Sequence, residues 1–109
     1  VSLFLVKRED ILTAVDNATN LVYKERDNLF NEEVDKLLNK WRWFFKIKTR
    51  EEAEEIIHIN KGWSDNWVCH GWGTLRDAES LYKALKVTDE KIISLSKKDA
   101  VFVEYWLNR

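Results

Sequence analysis

The stretch Trp41-Arg42-Trp43-Phe44-Phe45-Lys46-Ile47-Lys48 decides the fold class, because it breaks a long helical periodicity and replaces it with a period of two. Aromatic and β-branched residues at alternating positions favour a half-buried strand. Read that way, Trp43, Phe45 and Ile47 share the core face, and Arg42, Phe44, Lys46 and Lys48 share the outer one. The outer set interleaves an aromatic ring with three cations, and Lys36, Lys40 and Arg50 lie near its ends. Such a grouping stacks bases and grips phosphates in proteins that hold single-stranded nucleic acid. The plainer reading is a solvated face, or the footprint of an acidic partner.

Upstream of this stretch, Ile11, Ala14, Val15, Ala18, Leu21 and Val22 fall on one helical face, and Phe30, Val34, Leu37, Leu38 and Trp41 repeat the pattern. Two helices, or one long bent one, are expected from about 9 to 40, with Asn31 before Glu32 and Glu33 resembling a helix start. Residues 2–6 read as a short strand or as the lead-in to the first helix.

Downstream, Thr49 and Glu52 have capping-box spacing, and Ala53, Ile56 and Ile57 supply the buried face of a helix ending near Ile59. Thr74 and Asp77 offer a second such start for a helix ending around Lys86. In the tail, residues 91–95 and 100–107 read as two strands of a hairpin, since Val101, Phe102, Val103, Tyr105 and Trp106 favour strand. The competing reading makes Ser96 and Asp99 a capping box for a helix over 97–108. The sum is an α+β fold, a small antiparallel or mixed sheet of about three to four strands with helices packed on one face.

A chain of 109 residues, 45% apolar and 34% charged, is expected to fold as a single domain, 1–109. Eighteen basic against nineteen acidic residues give a net charge of −1, so recognition by charge has to be local. The apolar run from Leu3 to Val6 is too short for a membrane span, and Cys69 is the only cysteine. These features predict a cytoplasmic protein that does not engage membranes.

The segment 60–73 concentrates the unusual chemistry. It holds all three glycines, Gly62, Gly71 and Gly73, together with Trp63, Trp67, Trp72, Cys69 and His70. Indole supplies a flat apolar surface with one donor, and glycine lets backbone approach a ligand, so a small-molecule or nucleotide pocket is one reading. A long loop pinned down by its own tryptophans is the other. His58, Cys69, His70 and Asp65 match no compact zinc spacing, and adjacent Cys69 and His70 point apart in extended chain. No phosphate-binding glycine motif, metal box or nucleophile elbow is present, and the carboxylates cluster in first helical turns, where the helix dipole accounts for them.

The expected function is therefore non-catalytic, with no metal and no cofactor. It is that of a small accessory or inhibitory protein, of the kind phages and mobile elements carry, docking on a larger cellular protein. The expected anchors are Trp63, Trp67, Trp72 and Trp106, with His70 beside them and Arg42, Phe44 and Lys46 as a second patch. Self-association through an aromatic patch or a sheet edge is a further expectation.

Overall fold

The structure, a computed structural model, describes residues 3–60 and 65–109. In chain order it comprises β1 (Phe4–Lys7), α1 (Arg8–Lys40), α2 (Arg42–Phe45), α3 (Arg50–Ile59), α4 (Asp65–Cys69), α5 (Trp72–Lys86), β2 (Ile92–Leu95) and α6 (Lys97–Leu107). It is 75% helical and about 8% strand, so the expected sheet of three to four strands is replaced by a two-stranded ribbon.

Two of the expected strands are helices. Over 41–48, the backbone after Trp41 makes one helical turn and then reverses at Lys46, which adopts a left-handed conformation (φ 53°). The left-handed residue interrupts strand alternation, and the period of two in the sequence corresponds to no sheet face. Over 97–107, the capping-box reading is the one the structure adopts. Ser96 Oγ accepts the Asp99 amide at 3.4 Å, and α6 buries Val103, with Ala100, Phe102 and Trp106 beside it. The β preference of those residues yields to the burial of one helical face, because β propensity mostly measures packing context.

The ribbon is antiparallel, with Phe4 opposite Leu95 and Lys7 opposite Ile92. The strand at 92–95 thus exists as expected, but pairs with the N-terminal strand and not with 100–107. Residues 9–40 belong to one continuous helix. Its first turn carries Glu9 and Asp10 and its last turn Lys40, charges that suit the helix dipole. No residue of α1 between Val22 and Val34 is buried.

The described residues form two compact units, Val1–Val22 with Gly71–Arg109, and Tyr23–His70. In the first, Ile11, Ala14 and Val15 of α1 meet Ala78, Leu81 and Leu85 of α5, Leu95 of β2 and Val103 of α6. Arg8 fastens this unit: its guanidinium donates to the carbonyls of Leu85 (2.6 Å), Thr88 (2.7 Å) and Glu90 (3.3 Å), closing the C-terminal end of α5 with a cation. In the second unit, Val34 and Leu37 of α1 pack with Ile47, Ala53 and Ile57. Here the predicted cap forms, with Thr49 Oγ1 accepting the Glu52 amide at 3.2 Å, while the Glu52 carboxylate reaches one residue beyond the cap and accepts the Lys48 amide at 3.0 Å, not the Thr49 amide of a full capping box.

Helix α5 starts two residues before the predicted Thr74. Its N-cap is Gly71, at φ 70°, with no side-chain cap. A Cβ at Gly71 would lie 2.4 Å from Val22 Cγ1, so both the dihedral and the close approach require glycine.

Candidate functional site

The turn after α1 is built from the inside out. Ile47 is buried among Val34, Leu37, Ala53 and Ile57 and anchors the far end. The near end continues α1, since the Trp41 amide donates to Leu37 O at 3.2 Å and the Phe45 amide to Trp41 O at 3.1 Å. Left-handed Lys46 then folds the chain back. The amides of Lys46 and Ile47 both donate to Arg42 O, and Arg42 Nε donates to Ile47 O at 3.2 Å.

This bracing holds the intervening aromatics outward. Trp43 is 90% exposed and Phe44 75%, with Trp41 and Phe45 partly exposed beside them. Phe44 meets Trp41 and Phe45 edge-on, at ring-centroid distances of 6.2 and 4.9 Å. The apolar surface thus stands on a turn held by its own backbone.

Charge surrounds it. From Lys36 to Arg50 the sequence has six cations and no carboxylate. Lys36 is engaged by Glu33, and Arg50 by Asp35 and Glu54. Among the described residues, Lys40, Lys46 and Lys48 make no ion pair. The turn is therefore apolar at its tip and positive at its margins.

The other expected anchors are distributed differently. Trp63 lies outside the described residues. Trp67 is half-buried, its ring edge-on to Phe30 at 5.1 Å and near His58, and its indole Nε1 is buried without a hydrogen-bond partner among the described residues. Trp106 packs against the core of the first unit, beside Phe102 and Tyr105, and its carbonyl accepts Asn17 Nδ2 at 2.9 Å. Trp72, the first residue of α5, is 61% exposed. His70 is clasped from two sides by α1, through its Nε2 to the Glu25 carboxylate and its carbonyl to Arg26 Nε. That clasp ties the end of α4 to α1, giving His70 a structural place.

Within 60–73, the part that is described is helix α4, a turn and the start of α5, and not an open loop. Cys69 is exposed, and among the described residues no three His, Cys, Asp or Glu side chains converge on a metal position. An open cleft of about 500 Å³ lies elsewhere, lined by Lys7, Arg8, Glu9, Leu12, Lys91 and Ile92. Its strongest donor, Arg8, is already committed to helix and loop carbonyls.

Of the expected second patch, Phe44 is displayed, Arg42 braces the turn and Lys46 makes it. The residue that sequence reasoning assigned to the core, Trp43, is the most exposed aromatic of the turn. The signal that marks the region is the carboxylate-free run from Lys36 to Arg50. No protein-family model matches the chain, and neither a curated protein nor a solved structure is similar to it.

Proposed function

We propose that this chain is a non-catalytic binding module that docks on a larger cytoplasmic protein through the turn Trp41–Lys48. One observation carries the reading: Trp43 and Phe44 stand almost wholly in solvent on a turn fixed by left-handed Lys46, buried Ile47 and the Arg42 bridge. Fixing the backbone beforehand lowers the entropic cost of association, and large aromatic rings supply most of the energy at hot spots. The unpaired Lys40, Lys46 and Lys48 fit a partner surface that is acidic around an apolar pocket. An accessory or inhibitory role follows from such docking by a small chain.

Affinity purification from the native host, comparing the wild-type chain with a Trp43→Ala/Phe44→Ala variant, tests the assignment. The partner should be lost with that variant and kept with Trp72→Ala. An unchanged partner set in the Trp43/Phe44 variant would remove the turn as the docking surface.

A second reading, single-stranded nucleic acid, draws on the same open indole and free lysines. It predicts retention of single strands that falls steeply with salt and weakens when Lys46 and Lys48 become alanine. No retention at low salt eliminates it.

A further inference from the structure

The rings of the turn over 41–48 point several ways. A helix advances about 100° per residue, so Trp43, Phe44 and Phe45 leave α2 in successive directions. Phe44 stands nearly perpendicular to Trp41 and to Phe45, at interplanar angles of 80° and 79°. A rigid protein pocket has to match each of those directions, whereas the headgroup layer of a bilayer is fluid and accepts rings splayed around a tip. Indole in particular settles at that layer, where its apolar body and its N–H donor are both accommodated.

The cations flank these rings without acidic interruption. Lys36, Lys40, Arg42, Lys46, Lys48 and Arg50 follow one another with no carboxylate between Lys36 and Arg50. Of the carboxylates beyond the two ends, Glu33 is held by Lys36, Asp35 and Glu54 by Arg50, and Glu52 by the Lys48 amide. Glu51 and Glu55 follow on α3, past the end of the run. Lys40 precedes the rings and Lys46 and Lys48 succeed them, all three exposed and without an ion pair among the described residues. Their flexible stems let the ammonium groups reach lipid phosphates while the rings sit lower.

We propose that this turn also binds the surface of a bilayer rich in anionic phospholipid, with Trp43 and Phe44 seated among the headgroups and Lys40, Lys46 and Lys48 on the lipid charges. The contact is one of surface and not of span. Among the described residues no helix is long and apolar enough to cross a membrane, and the shortness of the run Leu3–Val6 likewise bears on crossing alone. The inference rests on the same displayed and braced turn as the docking reading, and adds a lipid surface that needs no protein partner.

Co-sedimentation of the full chain with vesicles tests it, using phosphatidylcholine alone and equimolar phosphatidylcholine and phosphatidylserine, with circular dichroism reporting the fold of each variant. The chain should sediment with the mixed vesicles and stay in solution with the neutral ones. Lys40→Ala/Lys48→Ala should weaken binding about thirtyfold, about fivefold for each charge. Trp43→Ala/Phe44→Ala should weaken it by about tenfold or more, while Trp72→Ala binds like the wild type. Bromine on the phosphatidylcholine acyl chains of the mixed vesicles should quench the tryptophan fluorescence of the wild type more than that of Trp43→Phe. A wild type that ignores the mixed vesicles, a Trp43/Phe44 variant that binds undiminished, or equal quenching in the wild type and Trp43→Phe would each overturn the inference. Capture of a protein or of single strands by a chain that ignores these vesicles assigns the turn to that partner and overturns it too. The docking reading fails separately, in the affinity purification, because the vesicles contain no protein.

Discussion

Gly71 and Gly73 are two residues apart, and substitution by alanine should move stability in opposite directions. At Gly71 the backbone sits at φ 70°, where an L-residue costs about 1 kcal/mol. The added Cβ would also meet Val22 Cγ1 at 2.4 Å and Cγ2 at 2.9 Å, well inside ordinary contact. Val22 is 4% exposed and β-branched on a helix, so its side chain has little freedom to rotate away. Overpacking of this kind adds about 1–3 kcal/mol. Gly71→Ala is thus expected to lose about 2–4 kcal/mol, or about 8–16 °C in Tm for a chain of this size. At Gly73 nothing lies within 4 Å of the Cβ position and the backbone is helical, so Gly73→Ala should gain about 0.5–1 kcal/mol. Urea unfolding followed by far-ultraviolet circular dichroism measures both. In a Val22→Ala background the penalty at Gly71 should shrink by about 1–2 kcal/mol, the part due to the clash. A Gly71→Ala variant within about 0.5 kcal/mol of the wild type, or one no worse than Gly73→Ala, would refute the argument.

Replacing Arg8 by methionine strips three carbonyls of their donor at the end of α5 and should lower stability by about 2–3 kcal/mol in the same assay, with Arg8→Lys recovering less than half. Lys46→Gly relieves the left-handed strain and should raise stability by about 0.5–1 kcal/mol, visible as a higher urea midpoint. Trp67→Phe removes an indole donor that is buried without a partner among the described residues, so its loss of packing is offset and the net change should stay under about 1 kcal/mol by chemical denaturation. Trp43→Ala should leave the melting temperature unchanged, because so exposed a ring contributes little to the fold.

The helices were legible wherever burial spacing and capping chemistry agreed. Thr49 with Glu52 marks the start of α3, and Ile11, Ala14, Val15 and Ala18 mark the stripe of α1, because a helix cap and a helix face are both local properties. The tail was less legible, since Val101, Phe102 and Tyr105 favour strand by side-chain shape, whereas Ser96 and the burial of Val103 select helix. Which signal prevails depends on α1 and α5 offering a surface to cover, and that is not written within 97–107. The pairing of β1 with β2 depends likewise on contacts between residues some ninety positions apart in sequence.

In the turn over 41–48, the alternation of Trp43, Phe45 and Ile47 imitates a strand face although only Ile47 is buried. The left-handed Lys46 that breaks the alternation carries no mark in residue type, because lysine is not a residue that ordinarily adopts it. What was readable there was chemistry. The run of aromatic rings among cations is visible in residue types alone, whereas its display on a turn and not on a sheet face is not.

The antiparallel pairing of Phe4 with Leu95 has a consequence for the order in which the protein is assembled. On the ribosome, β1 emerges before β2 and stays without its strand partner until residues 92–95 have been made. Residues 23–70 have by then left the exit tunnel and hold the core described for the second unit, Val34, Leu37, Ile47, Ala53 and Ile57. Vectorial synthesis therefore favours the central segment folding first, while the unit that joins the first helical turns of α1 to α5, β2 and α6 closes only after translation has reached α6. Nascent chains stalled with residues 23–70 outside the exit tunnel and β2 still inside it should already resist protease in the central segment, while their N-terminal strand is still cleaved.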